Sequence, residues 1–152
     1  MKRYFIIFCI FFITTALFAN PWDCYCDDPG LRKRFDSINK QYFNSELKVD
    51  YINFNNELPD DSFAITYHWS PYTAFPDREV IAVNPKLMEK EESVIMSVIA
   101  HECCHVYVDQ NDPEVRYHGY TCDGHDHEMF HAIMKKLHDE GCTLWIPLGW
   151  EF

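Results

Sequence analysis

Five consecutive residues near the middle of the chain have the types and spacing of a metal site. They are His101-Glu102-Cys103-Cys104-His105, an HExxH pattern. Residues four positions apart are neighbours on one face of an α-helix, so both imidazoles would point at a common zinc ion. Glu102 follows the first histidine and would act as a general base toward a water activated by the metal. The pattern therefore predicts a hydrolytic zinc site.

The residues around this pattern distinguish a metal site from a chance match on a solvated helix. Residues 98–100 before it and 106–107 after it are uncharged and free of proline, as a helix inside a core requires. Two histidines and a glutamate on a buried helix face would be costly polar groups without a ligand. Seven of the eight histidines also fall between His101 and His138. We therefore expect a bound zinc ion.

A catalytic zinc needs a third protein ligand and one open position. The extended HExxHxxGxxH pattern is absent, because Val108 and Asn111 occupy the positions of its glycine and last histidine. His131 and His138 are expected to be solvated surface residues of a later helix. The remaining candidates for the third ligand, within and before that later helix, are His118, His125, His127, Glu114 and Glu128.

The spacing of apolar residues predicts the elements that position these side chains. Helical spacing predicts helices over about residues 30–43, about residues 91–109, and from Met129 to Leu137 with an end at Gly141. Alternation and flanking turn residues predict strands over residues 46–54, 62–69 and 79–83, and the apolar tail 142–152 is expected to add an edge strand. The order of helix, small sheet, helix, loop and helix predicts an α+β domain.

The first 19 residues form a different kind of sequence from the rest. Lys2 and Arg3 precede an uncharged apolar stretch that ends at the small residue Ala19, which is the pattern of a secretory signal peptide. We therefore expect residues 20–152 to form one domain that is secreted or periplasmic. An uncleaved signal anchor is the alternative, but the apolar stretch is short for a membrane span. No stable membrane span is expected after cleavage of the leader.

The charge balance limits the partners of this protein. Thirteen Lys and Arg against 24 Asp and Glu give a net charge of −11, and loss of Lys2 and Arg3 with the leader would make it −13. This surplus of negative charge argues against a protein that binds nucleic acid by neutralising phosphates. The basic cluster Arg32-Lys33-Arg34 is more simply the exposed face of the first helix.

The predicted export bears on whether the cysteines form disulfides. Six remain after the leader, and an even number in an oxidising compartment suggests disulfides. Cys122 and Cys142 flank the same predicted helix, so they are a plausible pair. Cys103 and Cys104 are more simply buried small residues of the HExxH helix.

Four segments resemble the SprT-like zinc metallopeptidases, the family of SprT and Spartan, and the resemblance spans about residues 34–140. Residues 39–47, NKQYFNSEL, resemble the family's opening helix and its turn into the first strand. Residues 81–87, IAVNPKL, resemble its strand that ends in an asparagine-proline step. Residues 101–105 match its HExxH, and residues 124–128, GHDHE, resemble its GHGxE segment.

The last of these segments supplies the third zinc ligand in the family. The resemblance therefore assigns His125, and a shift of one or two residues would make His127 the ligand instead. The chain departs from the family pattern at two positions. Asp126 replaces the usual glycine, and Phe130 comes one place later than the expected aromatic.

The resemblance implies a zincin-like α+β fold, in which a small, mainly antiparallel sheet packs on the HExxH helix and a second zinc-bearing helix. It also implies a zinc endopeptidase, with His101, His105 and His125 as ligands and Glu102 as the general base. The oxyanion of the reaction would need a second donor besides zinc. The candidates for that donor are Tyr107, Arg116, Tyr117, His118 and Tyr120.

The predicted export and the acidic charge favour protein or peptide substrates, with no nucleic acid as a partner. A second interpretation is a non-catalytic zinc-binding protein, interaction module or toxin-like, on a peptidase scaffold. The intact Glu102 argues against it, because a structural site needs no base beside its ligands. A third interpretation is a DNA-associated protease of the Spartan type, against which the mature charge argues. The sequence predicts no oligomeric state.

Overall fold

The computed structural model describes residues 26–68, 78–112 and 125–146. Within these residues the chain forms three α-helices, three strands and one 3-10 helix. In chain order they are α1 (Pro29–Tyr42), β1 (Tyr51–Phe54), β2 (Ala64–His68), β3 (Glu79–Val83), the 3-10 helix (Pro85–Glu89), α2 (Glu92–Asn111) and α3 (Glu128–Asp139). The predicted α+β class is confirmed, and the three predicted helices are present.

Helix α1 is defined by local signals at both ends. The Asp28 side chain caps it by accepting a hydrogen bond from the Leu31 N–H at 2.9 Å. After the helix ends, Asn44 and Ser45 have positive φ angles of 54° and 63°, which turns the chain back. The buried Asn39 amide holds this turn, because it donates to the Leu47 carbonyl at 2.9 Å and accepts from the Leu47 N–H at 3.1 Å. These contacts hold the turn between helix α1 and the segment that leads to β1.

The sheet has the order β1-β3-β2, with β3 in the centre. Strand β1 is parallel to β3 and β2 is antiparallel to it, so the sheet is mixed and not mainly antiparallel as expected. The first strand is also shorter than the predicted 46–54. The Lys48 N–H bonds to the side chain of Gln110 at 3.2 Å, so this part of the backbone pairs with helix α2. Ladder pairing between β1 and β3 begins at Tyr51.

Helix α2 lies at the centre of the molecule, in contact with α1, α3 and β2. Neighbours on three sides explain why residues all around the helix are buried, among them Ile95, Ile99, Cys104 and Val106. Its first turn is tied to α1 by the guanidinium of Arg34, which bonds both carboxylate oxygens of Glu92 at 2.8 Å. The HExxH residues therefore lie on the most buried of the three described α-helices.

Helix α3 packs on α2 through a stripe of buried residues that begins at Phe130 and continues with Ile133, Met134 and Leu137. Gly141, with a φ of 82°, ends the helix region as predicted. The expected edge strand in the tail is absent from residues 142–146. The Trp145 N–H instead donates to the Ser97 carbonyl of α2 at 3.3 Å, so this segment binds a helix and not the sheet. Residues 147–152 lie outside the described part.

The cysteines of the described region are mostly buried. Cys103 and Cys104 are fully buried residues of α2, as predicted, and burial raises the pKa of both thiols well above the usual value. Cys142 is buried as well and forms no disulfide with another described residue. Cys122 lies outside the described part of the chain, so its pairing with Cys142 stays a prediction.

The predicted leader, residues 1–19, also lies outside the described residues. No helix within residues 26–68, 78–112 and 125–146 is both long and apolar enough to cross a membrane.

Candidate metal centre

Helix α2 presents His101 and His105 on the same face, one turn apart. Their Nε2 atoms lie 3.2 Å from each other, and their ring centroids are 5.0 Å apart. His101 is only 3 % exposed, whereas His105 is partly exposed. The helix thus gives the two imidazoles the common direction that the HExxH spacing predicts.

His125, in the turn before α3, brings a third imidazole to the same point. Its Nε2 lies 3.0 Å from the Nε2 of His101, and the three histidines can each offer a nitrogen within 4.8 Å of the others. Zinc–nitrogen bonds of about 2.0–2.1 Å in a tetrahedron place ligand nitrogens roughly 3.3 Å apart. The separations of 3.0 and 3.2 Å in the structure are close to this value. The three side chains therefore fit one zinc ion with a fourth position left for a reactant.

The orientation of His101 is fixed from its other ring nitrogen. Its Nδ1 lies 3.0 Å from the carbonyl oxygen of Trp145, which can only accept a hydrogen bond. The hydrogen is therefore on Nδ1, and Nε2 keeps a lone pair directed at His105 and His125. This arrangement is the usual support of a metal-binding histidine. Trp145 lies 44 residues further along the chain and carries no recognisable motif, so the sequence does not identify it as a partner of His101.

Aromatic rings enclose the three histidines. Phe130 of α3 stacks on His105 with a centroid distance of 4.3 Å and an interplanar angle of 29°. The same ring meets the edge of His101 at 5.3 Å, and the Trp145 ring meets His101 at 5.1 Å. Phe130, one position later than the family's expected aromatic, therefore reaches the site and packs against two of its histidines.

This enclosure keeps the histidines neutral. Burial, followed by the proximity of His125, lowers the pKa of His101 to about 4, although the bond to the Trp145 carbonyl opposes the shift. Burial and then the two neighbouring imidazoles lower the pKa of His105 to about 3. The pKa of His125 is also lowered, mainly by burial. Because only a neutral imidazole binds a metal, the site is prepared for a cation at neutral pH.

Glu102 is buried beside these histidines and is 4 % exposed. One carboxylate oxygen, Oε2, accepts a hydrogen bond from the Thr66 hydroxyl of β2 at 2.9 Å. Burial raises the pKa of Glu102 to about 7, while the bonds from Thr66 act in the opposite direction. The sequence likewise does not identify Thr66 as a partner of Glu102, because the hydroxyl reaches Glu102 across 36 residues of sequence.

These residues line a cleft of about 390 Å³. The exposed Trp145 lines it as well, together with residues of β2 and of the segment before that strand. Residues of β2 and its approach that line the cleft are Asp61, Ser62, Phe63, Ala64, Ile65 and Thr66. The candidate metal centre is therefore open to a ligand from solvent, next to an edge strand of the described sheet.

The structure does not bring His127 into this cluster. Its Nδ1 accepts a hydrogen bond from the Met129 N–H at 3.2 Å, and its Nε2 lies 3.1 Å from a carboxylate oxygen of Asp112. Both ring nitrogens are therefore engaged away from the metal ligands. His131 and His138 are exposed, as predicted. Glu128 is the exposed first residue of α3, while Glu114 and His118 lie outside the described residues.

Of the candidates for a second oxyanion donor, Tyr107 is the one that the structure describes. Its ring packs against Phe43 at a centroid distance of 5.9 Å. It lines a separate groove of about 550 Å³ with Lys48 and Gln110, so Tyr107 is not placed in the metal cleft. The remaining candidates, Arg116, Tyr117, His118 and Tyr120, fall outside the described part of the chain.

Comparison with known proteins agrees with this architecture. A sequence model of the SprT-like family matches residues 31–144, a span that runs from α1 through the segment after α3 and includes all three clustered histidines. No curated protein and no solved structure gives a significant match to the chain. On the extent of the family match, the chain belongs to the SprT-like family.

Proposed function

We propose that this protein is a zinc-dependent endopeptidase, in which His101, His105 and His125 hold the metal and Glu102 is the general base. The observation that carries the proposal is the convergence of three imidazoles, with the Nε2 atoms of His125 and His105 at 3.0 and 3.2 Å from that of His101, beside a buried carboxyl on the residue after His101. A structural zinc site would need no such carboxyl. The family match supports a metallopeptidase-like domain.

Bound zinc supplies a Lewis acid that polarises the scissile carbonyl and activates water. The residues of the chain supply the proton transfers. Glu102 takes the proton of the attacking water and passes it to the leaving amine, and a nearby cation would favour its ionised form. Thr66 holds one oxygen of this carboxylate, and Glu102 is among the residues that line the cleft. The Trp145 carbonyl holds His101 in the tautomer that binds metal.

Protein or peptide substrates are favoured over nucleic acid. The mature charge of −13 opposes phosphate binding. Two of the three residues of the basic cluster also have partners in the fold, since Arg32 pairs with Asp27 at 2.7 Å and Arg34 with Glu92 at 2.8 Å. The leader pattern of residues 1–19 supports action outside the cytoplasm, in a secreted or periplasmic setting.

The test follows cleavage of a pool of unfolded proteins by mass spectrometry, with the protein loaded with one equivalent of zinc. Glu102→Gln is the matched variant, because glutamine has the same shape but cannot accept the proton. Cleavage by the wild type that the variant lacks, with zinc bound to both, is the expected result. No cleavage by either protein, despite one tightly held zinc, would contradict the proposal and favour the non-catalytic zinc-binding interpretation.

A further inference from the structure

The third imidazole of the cluster reaches the site from outside helix α2, and something must hold it there. Hydrophobic packing fixes α3 from Phe130 onward, which is the first fully buried residue of that helix. His125 lies five residues earlier, in the turn that precedes the helix, and the residues between it and Phe130 are exposed or only partly buried. Packing of α3 alone therefore leaves the direction of this turn poorly determined.

A polar contact joins this turn to the end of α2. Asp112 is the C-cap of α2 and leaves the helix in an extended conformation, with φ −104° and ψ 108°. One of its carboxylate oxygens lies 3.1 Å from Nε2 of His127, the N-cap of α3. Both side chains are mostly shielded from solvent, with 21 % and 29 % of their side-chain surface exposed. Partial burial makes such a bond stronger than a surface ion pair.

The second ring nitrogen of His127 shows which atom is the donor in the contact with Asp112. Nδ1 accepts the hydrogen bond of the Met129 N–H at 3.2 Å, which leaves the hydrogen on Nε2 as the one that Asp112 accepts. One side chain thus caps the first turn of α3 and bonds the last residue of α2. Both contacts are made by a side chain two residues after His125 in the sequence.

We propose that His127 and Asp112 are positioning residues of the metal centre, forming a clasp that holds His125 against His101 and His105. This inference rests on the proposed metal site and adds to it two residues that do not touch the metal. The clasp joins the element that carries two ligands to the turn that carries the third. Its loss lets the turn move, and zinc then loses the contribution of one imidazole.

The experiment measures zinc affinity of the whole protein by competition with a chromophoric chelator, a readout that does not depend on catalysis. His127→Asn is the central variant. Asparagine is a good N-cap and keeps the start of α3, but it is too short to bond Asp112. Asp112→Ala breaks the clasp from the other side. Each should lower zinc affinity roughly tenfold, the lower end of the usual effect of supporting residues at metal sites.

Three controls separate positioning from general stability. Asp112→Asn keeps an acceptor for the His127 N–H and should restore most of the affinity. The double variant His127→Asn with Asp112→Ala should be no weaker than either single variant, since both remove one contact. Asp28→Ala removes the N-cap of α1, a helix that carries no metal ligand, and is the control for loss of an N-cap as such. It should lower the free energy of unfolding without changing zinc affinity.

The inference is wrong if His127→Asn and Asp112→Ala bind zinc as tightly as the wild type, or if the affinity follows global stability across all variants. His125→Ala tells this failure apart from failure of the metal site itself. If His125→Ala loses zinc while the clasp variants keep it, only the clasp is disproved. If His125→Ala binds zinc like the wild type, the proposed ligand set is wrong, and the proposed role of the clasp is then wrong as well.

Discussion

Replacing Glu102 by glutamine should change how the stability of the metal-free protein depends on pH. The carboxyl is buried between α2 and β2, and burial raises its pKa from 4.5 to about 7. The cause is loss of hydration of the charged form, only partly offset by the hydrogen bond from Thr66. Glutamine has nearly the same shape and can still accept that bond, but it has no charge to desolvate.

The raised pKa sets both the direction and the size of the effect. Below pH 4.5 the folded and unfolded states both hold the proton, and the carboxyl does not oppose folding. Between pH 4.5 and about 7 the unfolded state ionises while the folded state stays protonated, so the free energy of unfolding falls as the pH rises. A shift of about 2.5 units at 1.36 kcal/mol per unit corresponds to about 3 kcal/mol. About 2 kcal/mol of this falls between pH 5.5 and 8.

Urea unfolding of both proteins in the presence of a chelator, at several pH values from 5.5 to 8, measures this effect. The free energy of unfolding of Glu102→Gln minus that of the wild type should increase by about 2 kcal/mol from pH 5.5 to pH 8. The histidines contribute equally to the pH dependence of unfolding in both proteins, so their contributions cancel when the two free energies are subtracted. Glu89→Gln is the matched control, because this glutamate is exposed and keeps its hydration on folding. A difference between Glu102→Gln and the wild type that does not vary with pH would refute the reasoning.

Further predictions concern the residues around the metal. Thr66→Val removes the hydrogen bond to Glu102 and should lower kcat roughly tenfold with zinc affinity unchanged, whereas Thr66→Ser keeps the hydroxyl and should keep the wild-type kcat. Equal kcat values for the wild type and both variants would exclude a role for the hydroxyl. Because the pKa values of His101 and His105 are lowered to about 4 and about 3, protons compete with zinc only at low pH. The pKa of His125 is lowered as well, so chelator competition should show zinc affinity falling less steeply below pH 6.5 than for three imidazoles of ordinary pKa; a steep loss just below pH 6.5 would contradict the lowered pKa values. Phe130→Ala removes a buried ring stacked on His105 and should lower the free energy of unfolding by about 3–5 kcal/mol in urea denaturation, while a loss below about 1 kcal/mol would show that the ring is not well packed.

Much of the site could be predicted because it depends on local geometry. The spacing of His101 and His105 needs only the period of an α-helix, and the helix itself was evident from its apolar flanks. Residues next to the helices also set where the helices begin and end, since Asp28 caps α1 and Gly141 follows α3 with positive φ. The choice between His125 and His127 came from resemblance, and the spacing of the residues left it open.

The HExxH helix, the α+β class and the acidic character follow from the order and composition of the residues, because helical and strand periods are local properties of the chain. The packing of distant elements is what brings the Trp145 carbonyl to His101 and Thr66 to Glu102, and what sets β1 parallel to β3. These contacts join residues tens of positions apart. They depend on how helices and strands pack against one another, and hydrophobic periodicity says which face of an element is buried but not which distant atom it will meet.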